Sequence, residues 1–303
     1  MEKNHDVYQK VTDEIILSLE AGTAPWIRPW RDGEPVFPIN AVTNRAYNGI
    51  NISLLWLSAN RNGYEHDRWL TFRQAITAGG NVRKGEKSSL AVLYLPQERE
   101  VKDARGEPLP DSNGEPVIQH FALLREFRLF NIAQCEGLPL SLQQPVIHTD
   151  APMEAAEAVI CASGVPVVHR RQQRAYYYPL RDVIVIPHPE QFAGIPDYYS
   201  TLLHEITHAT GHASRLAREG ITSSGRVFGD PVYAFEELVA EMGSAFICAY
   251  VGIQAKLQHA SYIASWLEVL RNDKRAIFRA SGLARQACDF LLERVNNPVQ
   301  ISA

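Results

Sequence analysis

The stretch H-E-I-T-H at positions 204–208 decides how the rest of this chain is interpreted. On a helix, two histidines four residues apart share one face and can bind one metal ion. A bound divalent metal lowers the pKa of a water molecule toward 7, and Glu205 is placed to polarise that water. The pattern therefore predicts His204 and His208 as metal ligands and Glu205 as the general base. The alternative is a helix whose histidines only pack or form hydrogen bonds.

A catalytic zinc ion usually has three protein ligands, so a further ligand is expected outside this stretch. His212 follows His208 by four residues and is one candidate. Better candidates lie in the segment F-E-E-L-V-A-E at positions 235–241, on a second predicted helix. Asp230 is a suitable N-cap for that helix, and Gly252 can end it.

The carboxylates of the second predicted helix have different predicted roles. Glu237 and Glu241 lie one turn apart on one face, among apolar residues. A carboxylate is costly to bury there unless it is paired or binds metal. Glu236 is better explained as a first-turn carboxylate that the helix dipole stabilises. Glu237 and Glu241 are therefore both candidates for the third ligand.

The two helices together resemble known metallopeptidases. H-E-x-x-H followed by E-x-x-x-E on the next helix is similar to the thermolysin-like, or gluzincin, arrangement. The resemblance implies that Glu237 is the third ligand and that Glu241 supports a ligand histidine, with Glu in place of the usual Asp. A closer resemblance is to the zincin-like C-terminal domain of ArdC-type plasmid antirestriction proteins. It is carried by segments 204–212, 215–216, 228–229, 233–246, 262–267 and 272–275.

Composition and charge are those of an ordinary soluble globular protein. The 303 residues are enough for two domains, and the formal net charge of −4 excludes a strongly basic protein. The four cysteines are widely spaced, without a C-x-x-C motif, and no signal peptide is recognisable. No apolar run reaches the length of a membrane-spanning helix. We therefore expect a cytoplasmic protein with reduced thiols and no membrane partner.

The N-terminal half contains two stretches that suggest contact with nucleic acid. The segment P-W-I-R-P-W-R at 25–31 alternates tryptophan and arginine, which suits stacking on single-stranded bases as well as burial of paired indoles in a core. Segment 68–91 has five cations and one anion, a net charge of +4. This stretch is consistent with a phosphate-binding surface, and a solvated charged face is the alternative.

The same half resembles the single-stranded-DNA-binding domain of ArdC-type proteins, and related domains occur in plasmid primases. The resemblance is carried by segments 7–30, 44–56, 68–72, 80–87 and 130–134. It implies DNA binding without assigning any one contact residue. The candidate contacts are aromatic and cationic residues of these segments, namely Trp26, Trp30, Arg45, Tyr47, Arg68, Trp69, Arg83, Lys84 and Lys87.

The expected fold class is α+β with two domains. An N-terminal α+β single-stranded-DNA-binding domain at 1–140 and a linker at 141–152 precede a zincin-like, gluzincin-type metallopeptidase domain at 153–303. Periodicity predicts helices at 5–21, 52–60, 71–78, 153–163, 258–270 and 273–292, and strands at 89–95, 121–132, 165–170, 175–178 and 183–186. The charged, Pro- and Gly-rich stretch 97–116 is predicted as a long exposed hairpin loop or a mobile insertion. Strands ahead of a zincin helix are expected to form a sheet whose edge strand holds an extended peptide.

Two functions follow as hypotheses. The first is a DNA-binding antirestriction protein that protects incoming, conjugating plasmid DNA from host restriction and carries a zinc-dependent metallopeptidase-like domain. The alternative is an active zinc metallopeptidase that cleaves a DNA-associated protein, with the DNA domain serving only for targeting. Tyr233 and His212 are candidates to stabilise the oxyanion.

The expected cofactor is Zn²⁺, and Mn²⁺ or another divalent metal would suit the same ligands. The expected partner is single-stranded DNA, with double-stranded DNA and a host restriction enzyme as further candidates.

Overall fold

A long antiparallel hairpin and a bundle of helices dominate the computed structural model. The structure describes residues 6–29, 36–103, 105–111, 114–143, 151–223, 230–254 and 262–297. Within these residues the helices are α1 (Val7–Glu20), α2 (Ile50–Asn62), α3 (Phe72–Thr77), α4 (Pro152–Ser163), α5 (Ile195–Thr210), α6 (Glu219–Thr222), α7 (Pro231–Val251), α8 (Ile263–Asn272) and α9 (Ala276–Asn296). The strands are β1 (Ile39–Asn40), β2 (Arg68–Leu70), β3 (Asn81–Val82), β4 (Ser89–Glu100), β5 (Ile118–Asn131), β6 (Cys135–Glu136), β7 (Val167–His169), β8 (Tyr176–Tyr178) and β9 (Val183–Ile186).

Strands of the N-terminal half form a sheet in the order β1-β2-β5-β4. β1 runs parallel to β2, and the other neighbours in this sheet are antiparallel. The β4–β5 hairpin is paired from Ser89 opposite Leu129 to Glu100 opposite Ile118. A second, two-stranded sheet joins β3 to β6.

The hairpin is longer than the sequence pattern predicts. The predicted strand at 89–95 extends to Glu100, and its partner begins at Ile118, so the predicted loop at 97–116 is confined to the distal tip. The first four residues of β4 are buried, whereas its distal residues are mostly exposed. A ribbon with both faces in solvent needs no apolar alternation, which explains why the charged sequence concealed these strand residues.

Local sequence signals account for the first two helices. Asp6 caps α1 by accepting hydrogen bonds from two backbone amides. Val11, Ile15 and Leu19 form the buried face of α1, as their spacing predicts. α2 begins two residues earlier than predicted, directly after Gly49, whose φ of 55° turns the chain into the helix.

Aromatic side chains join the N-terminal half to the C-terminal half in one core. The rings of Trp26 and Trp266 meet edge to face, with centroids 5.6 Å apart. Trp56 contacts Phe246 at 5.9 Å, and Phe37 lies against both of these rings. Such pairs stabilise a core beyond the area that they bury. The two halves are therefore packed against each other through a shared hydrophobic cluster.

The C-terminal half has a three-stranded sheet in the order β7-β9-β8. The central strand β9 is parallel to β7 and antiparallel to β8, so β8 is an edge strand. The predicted strand at 165–170 is shorter in the structure, where β7 covers Val167–His169. β8 and β9 pack against α5, which carries the H-E-x-x-H motif.

The helices α5 and α7 lie in the middle of the C-terminal half. Asp230 caps α7 through the amide of Val232, and Gly252 ends it with a φ of 81°, as predicted. Gly243 lets the two helices approach closely, because a Cβ atom at this position would lie 2.5 Å from Cγ2 of Thr207 on α5. This close approach sets the separation of the side chains that project from the two helices.

The mixed architecture confirms the predicted α+β class and two-domain organisation. α8 begins at Ile263, and residues 258–261 of the helix predicted at 258–270 lie outside the described residues. The predicted linker at 141–152 also lies largely outside them, so the domain boundaries remain predictions. Among the described residues, no helix is both long and apolar enough to cross a membrane.

Candidate metal centre

Three buried side chains of α5 and α7 converge on one point. Glu237 Oε2 lies 3.5 Å from His204 Nε2, and Glu237 Oε1 lies 3.5 Å from His208 Nε2. The two imidazole rings are 4.8 Å apart and nearly perpendicular. The helical spacing of the histidines and the close contact of α7 thus bring together the three predicted ligands.

The spacing of these atoms fits a divalent metal. Ligand atoms about 2.0–2.1 Å from a tetrahedral zinc ion lie about 3.3–3.4 Å from one another. The two distances of 3.5 Å, from Oε2 of Glu237 to His204 and from Oε1 to His208, are close to this value, and one donor atom from each of the three residues lies within 4.8 Å of the others. Two imidazoles and a carboxylate are also donors that bind zinc or manganese. The donor set and its geometry therefore suit either ion.

Electrostatic interactions in this cluster favour a bound cation. Burial opposes protonation of His208, but the carboxylates of Glu237, Glu236 and Glu205 outweigh it and raise the pKa of this ring to about 10. Burial likewise opposes ionisation of Glu237, but His208 and His204 hold its pKa well below the usual range. The cluster thus concentrates negative charge where the imidazole nitrogens point, and that charge attracts a cation.

Each histidine of the candidate metal centre also faces a second carboxylate on α7. The Nδ1 atom of His204 lies 3.6 Å from Oε2 of Glu241. The Nδ1 atom of His208 lies 3.3 Å from Oε1 of Glu236, within hydrogen-bonding distance. A carboxylate behind a ligand histidine fixes the tautomer and orientation of the ring. The geometry at Glu241 is the one that the gluzincin resemblance implies.

Glu236 lies beyond the first turn of α7 and is buried, which corrects its prediction as a first-turn carboxylate that the helix dipole stabilises. Its carboxylate accepts hydrogen bonds from Nε and Nη2 of Arg218, which is buried as well. Arg218 also donates to Thr210 Oγ1 at 2.6 Å and to the backbone oxygen of Thr207 at 2.7 Å. The guanidinium therefore links α7 to the end of α5 directly behind His208. Spacing along the chain gave no sign of this pair, because Arg218 comes from the segment between the two helices.

A cavity of about 250 Å³ opens at the candidate metal centre. Glu205 and Tyr233 line it beside the three predicted ligands, as does Tyr262 from the start of α8. The hydroxyl groups of the two tyrosines are 3.4 Å apart. Burial, and then the charge of Glu237, raise the pKa of Tyr233, so its phenol stays protonated at neutral pH.

The edge strand β8 forms one side of the same cavity through Tyr176 and Tyr177. The β8–β9 turn is held by Asp182, which adopts a φ of 48° and pairs with Arg215. Tyr177 donates a hydrogen bond of 2.6 Å to Asp182. An exposed strand edge thus lies beside the metal centre, as the sequence predicts.

The structure does not bring His212 into the metal centre, which corrects its prediction as a ligand or oxyanion partner. Its ring lies beyond the end of α5, where Nδ1 is 2.8 Å from the hydroxyl of Ser214. The side chain is also not among those that line the cavity. His212 lies past the last helical residue, Thr210, so the four-residue spacing from His208 no longer places it on the same face.

Several predicted DNA contacts are buried in the N-terminal half. Trp26 and Trp69 have no exposed surface, and Arg68 is only 4% exposed. A base cannot stack on an indole that is fully enclosed in a core, and a phosphate cannot reach a guanidinium that is almost fully buried, so the predicted roles of these three residues are corrected. The structure supports the alternative for Trp26, burial against another indole. Trp30 lies outside the described residues.

The remaining predicted DNA contacts lie at the surface. Arg45, Lys84 and Lys87 are exposed, and Tyr47 is half-buried. Arg83 is exposed but committed to local structure, because it pairs with Glu86 at 2.8 Å and donates to a backbone oxygen of the 3₁₀ turn after β5. Arg83, Lys84 and Lys87 of the predicted basic stretch therefore remain candidates, whereas the predicted stacking residues Trp26 and Trp69 are core residues.

Known proteins resemble this chain over nearly its whole length. The protein y4eC of Sinorhizobium fredii is 39% identical over 290 residues, which are 94% of this chain and 91% of y4eC. DNA primase TraC of Escherichia coli is 37% identical over 308 residues, which cover 99% of this chain but only 21% of the primase.

Two solved structures show the same fold. The metal-free structure of antirestriction protein ArdC from plasmid R388 is 40% identical, covers 96% of this chain and 98% of ArdC, and gives a TM-score of 0.78. The Mn(II)-bound structure of the same protein is 38% identical, covers 97% of this chain and all of that one, and gives a TM-score of 0.77.

Family models match each half separately. The N-terminal domain of anti-restriction factor ArdC matches residues 5–130, and a zincin-like metallopeptidase family matches residues 154–283. The order of the two matches is that of the two domains in the structure. With the identity and coverage of the solved relatives, these matches show that the chain belongs to the ArdC family of antirestriction proteins.

Proposed function

We propose that this chain binds DNA and protects plasmid DNA that enters the recipient cytoplasm from restriction. The likeness to ArdC of plasmid R388 over almost the whole of both chains is the observation that carries this proposal. Single-stranded DNA is the proposed ligand of the N-terminal domain, since DNA enters a recipient in that form during conjugation. Double-stranded DNA and a host restriction enzyme are further proposed partners.

The proposed metal centre consists of His204, His208 and Glu237. Their donor atoms lie within 4.8 Å of one another, and all three side chains are buried. Zn²⁺ and Mn²⁺ are both suitable, because two imidazoles and one carboxylate do not discriminate sharply between them. The Mn(II)-bound structure of R388 ArdC supports this assignment. When bound, the metal would polarise a water molecule and a substrate carbonyl.

The chain's own residues suit hydrolysis of a peptide bond. Glu205 lines the cavity and would accept a proton from the attacking water, then pass it to the leaving amine. The phenol of Tyr233 would donate a hydrogen bond to the developing oxyanion. An extended peptide would add to the sheet along β8, with backbone hydrogen bonds fixing its register.

The second candidate function is therefore an active metallopeptidase that cleaves a DNA-associated protein. The observation in its favour is that Glu205 is kept in the cavity beside the three proposed ligands. A purely structural metal needs no general base, and burial of an unused carboxylate is costly. In this alternative the N-terminal domain only brings the peptidase to its target.

Glu205→Gln separates these two functions, because it keeps the shape of the side chain and removes the base. The control is Glu219→Gln, which removes an exposed carboxylate on α6. Protection of transferred plasmid DNA against a restricting host would be measured alongside metal content and DNA binding. We expect Glu205→Gln to retain metal and DNA binding and to protect as well as the control. Loss of protection with both binding activities intact would favour the peptidase.

A further inference from the structure

A small cleft lies between α1, α2 and the base of the long hairpin, far along the chain from the metal ligands. Its volume is about 220 Å³. Each of four elements contributes one cation to its wall: Lys10 on α1, Arg61 on α2, Lys87 before β4, and Arg128 on β5. Only Lys87 belongs to the basic stretch that the sequence singled out.

The cations of this cleft are only partly neutralised. Glu126 forms ion pairs with two of them, Lys10 at 2.5 Å and Arg128 at 3.0 Å. Glu14 pairs with Arg61. Four cations and two carboxylates leave a net charge of +2.

Lys87 carries much of this excess charge. In the part of the chain that the structure describes, its ammonium group forms no ion pair. The nearest carboxylate along the chain, Glu86, is already engaged by Arg83 and by the side chain of Gln134. The exposed ammonium is therefore available to a ligand.

Hydroxyl and amide groups add neutral donors to the cleft. Ser58 and Ser89 share a hydrogen bond of 2.6 Å between their hydroxyl groups, and Asn62 donates to the backbone oxygen of Ser58. Leu54 and Leu90 form an apolar floor and are almost fully buried. An apolar floor lowers the local dielectric and so strengthens the attraction of an anion to the surrounding cations.

We propose that this cleft binds a backbone phosphate of single-stranded DNA. A phosphodiester group has a single negative charge and several acceptor oxygens, which suits ammonium, guanidinium and hydroxyl donors that converge from different elements. The assignment rests on the proposed DNA-binding function and places one DNA contact of that function in this cleft. DNA binding would then depend on this phosphate contact rather than on stacking of bases on Trp26 and Trp69, which are buried.

The test measures binding of a fluorescent single-stranded oligonucleotide by the full chain across a salt series. Each phosphate contact on a single strand contributes about 0.7 to the slope of log K against log salt. Lys87→Gln is expected to reduce this slope by about 0.7. If the variant and the wild type bind equally well at 1 M salt, the variant then binds about fivefold more weakly than the wild type at 0.1 M. Arg61→Gln should have a similar effect. The double variant should lose little more, because both side chains hold the same phosphate.

Two further variants keep the result interpretable. Lys102→Gln removes an exposed cation near the tip of the hairpin and should leave the slope unchanged. Glu14→Gln removes one of the two carboxylates, so it should tighten binding. A gain in affinity cannot result from partial unfolding. If Lys87→Gln matches Lys102→Gln, or if Glu14→Gln does not tighten binding, the cleft assignment is overturned while DNA binding itself stands.

The source of the phosphate is tested with oligonucleotides that end in a 5′-phosphate or a 5′-hydroxyl. A backbone site predicts equal affinity for both and the same loss with Lys87→Gln. If that loss appears only with the 5′-phosphorylated strand, the backbone assignment is overturned in favour of a terminal phosphate. If the wild-type chain binds neither strand at low salt, the proposed DNA-binding function fails, and the cleft assignment fails with it.

Discussion

Replacing Gly243 by alanine tests whether the close approach of α5 and α7 sets the metal centre. The new Cβ would lie 2.5 Å from Cγ2 of Thr207, whereas ordinary contact begins at 3.4 Å, so the helices must separate locally by about 0.9 Å (3.4 minus 2.5). Alanine is favoured over glycine in a helix interior by about 1 kcal/mol. Overpacking a core costs about 1–3 kcal/mol. The net change in the free energy of unfolding is therefore expected to be a loss of about 0–2 kcal/mol.

The same separation should also weaken metal binding. His204 and His208 belong to α5 and Glu237 belongs to α7, so a shift between the helices lengthens the 3.5 Å spacings directly. Metal–ligand distances tolerate only about 0.2 Å. We expect the Kd for Zn²⁺ to rise at least about tenfold, a change of about 1.4 kcal/mol. Competition with a chromogenic chelator measures the Kd, and urea unfolding of the metal-free chain measures stability.

Thr207→Ser provides the matched control for this experiment. It removes the methyl group that Cβ would meet and keeps the hydroxyl, which donates to the backbone oxygen of Leu203 at 2.8 Å. The double variant Gly243→Ala/Thr207→Ser should regain most of the lost metal affinity, and the coupling energy follows from the double-mutant cycle. If Gly243→Ala instead stabilises the chain by about 1 kcal/mol with an unchanged Kd, close helix packing does not position the ligands.

Three other predictions follow from contacts elsewhere in the molecule. Glu236→Gln leaves the buried charge of Arg218 uncompensated and should cost about 3–5 kcal/mol in the free energy of unfolding, measured by urea denaturation. The hydrogen bond from Arg215 holds the pKa of Asp182 below its reference value of 3.8, so this carboxylate stabilises the fold above about pH 4 and less as the pH falls. Asp182→Asn should therefore cost about 1–3 kcal/mol at pH 7, and the difference from wild type should shrink below pH 4 in unfolding measurements across pH. Trp266→Ala should cost about 3–5 kcal/mol and expose the partner indole of the N-terminal half, which a red shift in tryptophan fluorescence would report.

The parts of the metal centre that were predictable from sequence depend on helical periodicity. His204, Glu205 and His208 are fixed by one turn of one helix, and their placement needs no knowledge of tertiary structure. Glu237 and Glu241 could be singled out because a carboxylate on an apolar helix needs a partner, and the gluzincin resemblance then implied that Glu237 is the ligand. Both inferences assume that the two segments are helices, and the structure has them as α5 and α7.

The parts that were missed depend on contacts between distant segments. Glu236 carries the same chemical group as Glu237 one residue away, and only the arrival of Arg218 from another segment makes its burial favourable. Trp26 has a sequence setting that suits stacking on bases, yet Trp266 covers it. No periodicity within one segment contains this information, because it depends on how the two halves pack.

The aromatic contacts between the two halves also bear on how such a unit is inherited. A gene fragment that encodes one half alone would expose Trp26 and Trp56, or Phe246 and Trp266, each of which is fully buried in the shared core. Recombination that moves a single half should therefore yield poorly folding products, whereas transfer of the pair keeps the core intact. The match to primase TraC is consistent with this, since it spans 99% of this chain within a much longer protein. The exchangeable module in evolution is then the two domains together.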